Sequence, residues 1–293
     1  MTPDALRTLI ATRPLLLDGG LGSLLIAQGL EPGRSPVDWN LERPEAVRDT
    51  ARRYSQAGSD IVHTNTFGAS PPKLAAAGLG GRCAEVNAVA VRLAREGCVG
   101  SACLVAGDIG PTGLHYPPMG TATRTKLLEA FTEQAGALAA AGVDLLSVET
   151  MYDLREALAA LQACRTTGLP ALVSMTFDAK KRGFFTIMGD PLVASLQALA
   201  EAGAVAVGMN CSVTSPVMME MVRQAVAAVS TPLVAQPNAG QPRPTPAGVV
   251  YDADPAAFAT DLAAMVQAGA RLVGGCCGTD DTFIAAARRA VSR

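Results

Sequence analysis

Residues 124–150, RTKLLEAFTEQAGALAAAGVDLLSVET, contain one complete unit of a helix followed by a strand. The first part, Arg124–Ala141, is rich in Ala, Leu and Glu, which favour a helix. Gly142 follows and is typical of the residue that ends a helix. Val143–Thr150 is then a mainly apolar run that ends in Glu149-Thr150. A run without polar alternation indicates a strand covered on both faces, as in a parallel sheet.

The same unit recurs along the whole chain. Eight apolar runs begin 28 to 45 residues apart, an interval with room for one helix and two loops. Besides Val143–Thr150 they are Leu15–Gly20, Asp60–Phe67, Cys103–Gly110, Ala171–Asp178, Ala204–Cys211, Pro232–Asn238 and Arg271–Cys277. Helical composition lies between them at Pro44–Ala57, Leu154–Thr166, Pro191–Ala202, Pro216–Val229 and Pro255–Ala268. Eight such units in 293 residues predict an α/β fold, a (β/α)8 TIM barrel.

An open, doubly wound sheet is the alternative fold with the same alternation. That fold more often carries a Gly-rich dinucleotide fingerprint after its first strand, and Gly19-Gly20-Leu21-Gly22 lacks the required spacing. No shift in composition marks a domain boundary. Pro242–Pro246 is the one proline-rich stretch, and we expect it to be a loop. We therefore predict a single domain over residues 1–293.

The composition excludes several classes of protein. The chain is 49% hydrophobic and 17% charged with a net charge of −2, which argues against disorder. It has no basic block, so we expect no nucleic-acid partner. No run approaches the roughly 18 apolar residues of a membrane span. The N-terminal residues do not resemble an export signal, so we expect a cytoplasmic protein whose seven cysteines form no disulfide framework.

Active sites of such barrels are built at the C-terminal ends of the strands. The polar residues at the ends of the eight runs are Asp18-Gly19-Gly20, Asn65-Thr66, Asp108, Glu149-Thr150, Asp178, Asn210-Cys211, Asn238 and Cys276-Cys277. Three of the cysteines lie on this rim. Three thiolates with a fourth position left open are typical of a zinc site that acts on a ligand. A redox pair at Cys276-Cys277 is a weaker alternative, because redox cysteines are usually separated by two residues.

The remaining candidates have both structural and functional interpretations. Cys83, Cys98, Cys103 and Cys164 are expected to be small buried hydrophobic residues. His63 is expected to be a hydrogen-bonded core residue. The carboxylates of Asp18 and Glu149 suit an ammonium group on a small ligand. The backbone around Gly19-Gly20 could hold an anion or could simply form a tight turn into a helix.

Seven segments on the rim resemble the homocysteine S-methyltransferase family. They are LLLDGGLGS (15–23), HTNTFGAS (63–70), GDIGPTG (107–113), ETMYDLREA (149–157), GMNCS (208–212), QPNAGQP (236–242) and GGCCGT (274–279). The resemblance implies a barrel that binds zinc through Cys211, Cys276 and Cys277 as the catalytic centre. Homocysteine sulfur takes the fourth position, and the amino and carboxylate groups meet Asp18, Gly19, Gly20 and Glu149. Thr66 and Asn238 on the same rim complete the candidate substrate-binding residues.

The segments GDIGPTGLHYPPMG (107–120) and YDADPAAFA (251–259) look most like the homocysteine module of cobalamin-dependent methionine synthases. The corrinoid-ligating pattern Asp-x-His-x-x-Gly is absent from this chain. The resemblance therefore implies methyl transfer to homocysteine from methylcobalamin or another methylated corrinoid that a separate protein presents in a transient complex.

Four alternatives use the same residues. The methyl donor could be S-methylmethionine or S-adenosylmethionine, or a corrinoid system could methylate another small thiol. The chain could instead be a non-catalytic module that binds thiols or a corrinoid protein, or zinc could only stabilise the barrel. A panel of thiols and donors separates the enzymatic hypotheses, and a fourth protein ligand would indicate a structural zinc.

Overall fold

The computed structural model describes residues 1–31, 33–245 and 248–291. The helices are α1 (Pro3–Thr12), α2 (Leu21–Ala27), α3 (Trp39–Glu42), α4 (Pro44–Ala57), α5 (Pro71–Ala76), α6 (Cys83–Gly97), α7 (Arg124–Ala140), α8 (Leu154–Arg165), α9 (Leu192–Glu201), α10 (Ser215–Ala228), α11 (Pro255–Ala268) and α12 (Asp281–Val291). The strands are β1 (Leu15–Leu16), β2 (Ile61–His63), β3 (Leu104–Ile109), β4 (Leu145–Met151), β5 (Ala171–Met175), β6 (Asp178–Lys180), β7 (Gly183–Phe185), β8 (Ala206–Thr214), β9 (Leu233–Asn238), β10 (Arg243–Thr245), β11 (Gly248–Val250) and β12 (Ala270–Val273).

Eight of these strands form one parallel sheet in the order β1-β12-β9-β8-β5-β4-β3-β2. A parallel bridge between Leu17 and Ile61 brings the first and last strands of this order together. The backbone N–H of Asp60 also donates to the Leu16 carbonyl at 2.7 Å. The sheet is thus a barrel surrounded by helices in a single domain, which confirms the predicted (β/α)8 fold. Each predicted apolar run contributes one barrel strand.

The helices follow the predicted pattern, with two further helices between β2 and β3. α4 and α11 have the predicted bounds, and Gly58 and Gly269 end them with φ values of 102° and 119°. α5 and α6 both lie between β2 and β3, where the sequence pattern predicted no helix.

The expectation of a loop at Pro242–Pro246 was wrong for its described part, because β10 pairs with β11 in an antiparallel hairpin. Proline is compatible with a two-stranded hairpin, where one edge of each strand needs no N–H donor.

The interior of the barrel is apolar at its N-terminal end. One buried cluster takes residues from all eight barrel strands: Leu15, Leu17, Ile61, Ala106, Leu145, Leu172, Val205, Ala206, Val234 and Leu272. Leu6 and Ile10 of α1 pack against this cluster at the N-terminal end of the barrel. A second, larger cluster fills the space between the strands and the outer helices. Burial on both faces explains why the strand sequences are apolar throughout.

The interior becomes polar one layer towards the C-terminal ends of the strands. Side chains two residues further along a strand point to the same side. Moving two residues on from the apolar layer therefore reaches His63, Asp108, Ser147, Ser174 and Gln236, all of them buried. This layer forms the floor of the candidate site. Within the described ranges, no helix has the combination of length and apolar character that crossing a membrane requires.

Candidate functional site

The three rim cysteines form one cluster at the mouth of the barrel. Cys211 lies in β8, and Cys276 and Cys277 follow β12, so the three come from strands on either side of β9. Their sulfur atoms all lie within 4.8 Å of one another, and the Cys211 and Cys277 sulfurs are 3.8 Å apart. A tetrahedral ion with Zn–S bonds of about 2.3 Å places its sulfur ligands roughly 3.8 Å apart. The cluster therefore fits three ligands of such an ion.

Backbone irregularities in β8 set the position of Cys211. Asn210 pairs with Gln236 and Thr214 with Asn238, so three residues of β8 lie opposite one residue of β9. Cys211 and Ser212 have φ values of 61° and 60°. Left-handed backbone at non-glycine residues costs on the order of 1–3 kcal/mol and is concentrated at functional sites. The fold thus maintains a strained bulge at Cys211.

Asn210 links this bulge to the neighbouring strands. Its Oδ1 accepts hydrogen bonds from the backbone N–H of Thr150 at 2.8 Å and from the Ser174 hydroxyl at 2.7 Å. Its Nδ2 donates to the Thr150 hydroxyl at 2.6 Å and lies 3.8 Å from the Cys276 sulfur. Thr150 is also left-handed, with a φ of 57°. Asn210 therefore joins Thr150, which follows Glu149, and Cys276 of the sulfur cluster in one network.

Gly19 and Gly20 allow β1 to approach the cysteine turn closely. A Cβ atom on Gly20 would lie 2.5 Å from the Cys276 carbonyl oxygen, and one on Gly19 would lie 2.6 Å from the Thr279 carbonyl oxygen. The Gly20 N–H donates to that Thr279 oxygen at 3.0 Å. This N–H is consequently already engaged, and the glycine pair serves close packing at the site. The close contacts exclude any side chain at either position.

The thiols of the cluster lie close enough to shift one another's pKa values. Hydrogen bonds from Cys211 and Cys276 lower the pKa of Cys277, while burial and the charges of neighbouring groups oppose that shift. The same sulfur–sulfur hydrogen bonds, together with burial, raise the pKa of Cys276. Tyr251 also hydrogen-bonds to Cys277, and its ring covers Gly278, where φ is 82°. Contacts between the sulfurs therefore shift the pKa values of neighbouring thiols in opposite directions.

Asp18 and His63 form a buried pair at the mouth of the barrel. Asp18 follows β1, which pairs with β12, and His63 ends β2. The His63 ring Nδ1 lies 2.6 Å from Asp18 Oδ1, and the His63 backbone N–H donates to Asp18 Oδ2 at 2.7 Å. The other ring nitrogen contacts the Ser147 hydroxyl at 3.0 Å. Burial alone lowers the pKa of His63, but the charge and hydrogen bond of Asp18 raise it to about 10. The prediction of a hydrogen-bonded core histidine is confirmed.

Glu149 differs from Asp18 in having no hydrogen bond to its carboxylate within the part of the chain that the structure describes. Burial raises its pKa to about 7, His63 acts in the opposite direction, and the charges of Asp18 and Cys211 add to the increase. A half-buried carboxylate without a donor is suited to binding a cationic group from outside the protein. The structure therefore distinguishes the two acids that the sequence treated alike.

The structure places the other two candidates differently. Thr66 is fully buried, and its hydroxyl donates to the Asp108 carbonyl at 2.7 Å. Asn238 ends β9 and is 4% exposed, and its Oδ1 is buried with no hydrogen-bond partner among the described residues. Thr66 thus supports the neighbouring strand, whereas Asn238 has an acceptor free for a ligand.

The sequence pattern does not predict three residues that contribute to the site: Asp108, Ser147 and Asn210. Asp108 and Asn210 were visible as polar residues at the ends of apolar runs, and Ser147 interrupts the run Val143–Thr150. What could not be seen was which of them contact one another. The cysteines assigned to the core lie outside the cluster: Cys83, Cys98 and Cys164 are buried and Cys103 is half-buried.

The chain is similar to known proteins over nearly its whole length. The family model described as homocysteine S-methyltransferase matches residues 15–291. Methionine synthases from Mycobacterium leprae and Mycobacterium tuberculosis are 30% and 29% identical over 99% and 97% of this chain. The chain spans only 25% of the length of each.

Solved structures of the Escherichia coli homocysteine methyltransferase MmuM are similar over nearly the whole chain. The metallated form has a TM-score of 0.80 at 28% identity, covering 97% of this chain and 99% of MmuM. The oxidised form has a TM-score of 0.79 at 27% identity, covering 94% and 95%. A 3-dehydroquinate dehydratase from Clostridium difficile, at 11% identity and a TM-score of 0.54, shares the fold alone.

Proposed function

The chain belongs to the homocysteine S-methyltransferase family and is a methyltransferase, and on this premise we propose that it methylates homocysteine to methionine with zinc as its metal. Residues 1–293 form one homocysteine-binding domain in this proposal. Cys211, Cys276 and Cys277 hold the ion, and the thiol of homocysteine takes the fourth position. The substrate lies across the mouth from the sulfur cluster to Glu149.

The sulfur cluster is the observation that carries the proposal. Three sulfurs within 4.8 Å match a tetrahedral site with one open position, and thiolates are ligands that zinc prefers. When bound, the ion supplies the acidity that keeps a substrate thiol deprotonated near neutral pH. The Asn210 network and the β8 bulge hold the three side chains in place. Methyl transfer then depends mainly on in-line placement of sulfur and donor.

Polar residues on other strands of the mouth orient the substrate in this proposal. Glu149 binds the α-ammonium group, because its carboxylate lacks a protein donor. Asp18 can accept a further hydrogen bond from the substrate, because each of its oxygens retains a second lone pair after its contact with His63. Asn238 offers its free Oδ1 to a substrate N–H. Gly19, Gly20 and Thr66 shape this end through packing and hydrogen bonds to Thr279 and Asp108.

The proposed methyl donor is a corrinoid carried by a separate protein. The segments GDIGPTGLHYPPMG (107–120) and YDADPAAFA (251–259), which resemble the homocysteine module of cobalamin-dependent methionine synthases, support this donor. Segments on the rim expose apolar side chains that suit a transient protein contact: Met119 is 63% exposed, Ile187 79% and Val249 53%. Met119 follows β3, Ile187 follows β7 and Val249 lies in β11, so each belongs to a segment between the C-terminal end of a barrel strand and the next outer helix.

Two measurements test the proposal on the intact chain. Metal analysis of the purified protein is expected to give about one zinc per chain, and its removal by a chelator should abolish homocysteine methylation. Methyl transfer is expected from methylcobalamin or a methylated corrinoid protein, with background rates from betaine. Efficient turnover with S-methylmethionine or S-adenosylmethionine alone would contradict the corrinoid donor. Activity that survives complete loss of metal would contradict the role of zinc.

A further inference from the structure

Asp108 is a buried carboxyl group that the proposed function has not used. It lies in β3 and is 7% exposed, and its Oδ1 is buried without a hydrogen-bond partner among the described residues. An unpaired polar atom costs free energy when it is removed from water, so native proteins rarely keep one without a reason. The position at the C-terminal end of a barrel strand suggests that the reason is a ligand.

The backbone of Asp108 is held by a network of buried polar groups. Its N–H donates to the Thr64 hydroxyl at 3.1 Å, and its carbonyl accepts from the Thr66 hydroxyl at 2.7 Å. The side chain of Gln134 in α7 donates to the Thr66 carbonyl at 2.8 Å. These bonds fix the strand, and none of them satisfies the carboxyl group. A rigidly supported side chain with a free oxygen has the character of a prepared binding group.

The surroundings of Asp108 are strongly acidic. Burial and the negative charges of Glu149 and Asp18 raise its pKa well above the ordinary value, while His63 and the Ile109 N–H act in the opposite direction. Because His63 is already paired with Asp18, the carboxyl groups of Asp108 and Glu149 lack a cationic partner within the described part of the chain. A cation brought by a ligand would compensate both.

We propose that Asp108 is a specificity-determining residue that binds the α-ammonium group of the thiol substrate together with Glu149. The inference rests on the proposed function, since it concerns the amine end of the same substrate. A primary ammonium group has three N–H donors, and the Asp108 and Glu149 carboxyl groups accept two of them. No bond forms or breaks in this step. Asp108 therefore selects aminothiols over thiols that lack the amine.

Direct binding to the zinc-loaded protein tests this role without a methyl donor. L-homocysteine is compared with 4-sulfanylbutanoate, which keeps the thiol and carboxylate but lacks the amine. In Asp108→Asn the Kd of homocysteine should rise about tenfold, because the substitution removes a charge-assisted hydrogen bond. The Kd of 4-sulfanylbutanoate should not rise. Asp178→Asn, at a half-buried rim aspartate paired with Lys180, is the matched control and should change neither value.

Each result has a distinct meaning. A loss of selectivity confined to the amine-bearing ligand supports the inference. An equal loss for both ligands, accompanied by a lower unfolding midpoint, would show that Asp108 only supports the barrel. An unchanged Kd for homocysteine would overturn the inference while leaving the proposed function intact. If the wild-type protein bound neither thiol, the proposed function itself would fail, and Asp108 with it.

Discussion

Asp60 and Asp108 lie at opposite ends of the barrel and have opposite environments. Asp60, at the N-terminal end, accepts hydrogen bonds from Arg13 at 2.8 Å, from the Leu16 N–H at 2.7 Å and from Arg288 at 2.6 Å. These donors outweigh the effect of burial and lower its pKa. Asp108, at the C-terminal end, has a free oxygen and a raised pKa. The same residue type is satisfied at one end and left unpaired at the other.

The difference shows how this barrel divides stability from binding. The N-terminal end is closed by α1, whose Leu6 and Ile10 contact the apolar layer, and Arg271 donates to the Ile10 carbonyl. The C-terminal end holds the strained backbone at Cys211 and the free acceptor of Asn238. Groups that bind a ligand must stay unpaired in its absence, and this lowers stability. Variants at the two ends should therefore change different measurements.

The largest effect is expected at the sulfur cluster. Cys276→Ala should lose most of its metal and more than about a hundredfold in activity, because even changes outside the ligand shell of a metal cost 10–100-fold. Metal analysis and methyl transfer measured on the same samples check this. Cys164→Ala, at a buried cysteine distant from the rim, should keep its metal. Full metal content in a Cys276→Ala, Cys277→Ala double variant would disprove the assignment of the ligands.

The next largest effect concerns the apolar end. Leu145→Ala removes a fully buried side chain and should lower the free energy of unfolding by about 2–5 kcal/mol. Urea denaturation of the metal-loaded protein measures the loss. The Kd of homocysteine should remain that of the wild type, since the side chain lies below the polar layer. A weaker Kd in the folded variant would show that the two ends are coupled.

Glu149→Gln should separate binding from stability at a single position. The Kd of homocysteine should rise roughly ten- to hundredfold, as expected for a lost charge-assisted hydrogen bond. The raised pKa means that Glu149 favours folding below its unfolded pKa of 4.5 and loses that contribution as pH rises through about 7. At pH 8 the variant should therefore be more stable than the wild type, by on the order of 1 kcal/mol.

Calorimetric unfolding at pH 5 and pH 8, with homocysteine titrations at pH 8, checks both parts. A variant that binds normally, or one that is less stable at pH 8, would place Glu149 among the structural residues.

The smallest effect is a difference in pH dependence between the two aspartates. The stability contributed by Asp60 is present above its unfolded pKa of 3.8 and is lost as pH falls through its lower folded value. Asp60→Asn should thus cost about 1–2 kcal/mol at pH 7 and less at pH 3. The contribution of Asp108 to stability depends on pH in the opposite direction, because its raised pKa favours folding at low pH.

Asp108→Asn should therefore stabilise the protein at pH 7 and lose that advantage at pH 3. Urea midpoints for both variants at the two pH values test the comparison. Parallel pH profiles for Asp60→Asn and Asp108→Asn would contradict the assigned environments.

The sequence predicted the barrel and the proximity of three rim cysteines, whereas the contacts of the other rim residues could not be predicted. The apolar runs located all eight barrel strands, and the GMNC and GGCC segments identified the cysteines that the fold brings together. The α5 and α6 helices and the β10–β11 hairpin were not anticipated. Asp108 was noted as a rim residue but was not assigned a role, since nothing local shows whether a carboxyl group finds a donor.

The pattern of apolar runs and helical segments by itself determined the architecture of this protein, because each run is short and its burial is encoded within a few neighbouring residues. The pairing of polar groups was decided only by the tertiary structure. Asp18 meets His63 across 45 residues, and the Cys211 and Cys277 sulfurs meet across 66. Such contacts depend on strand register, on the β8 bulge and on which donors lie within about 3 Å. Asp18 is therefore paired and Glu149 free, although both are acids at the end of an apolar run.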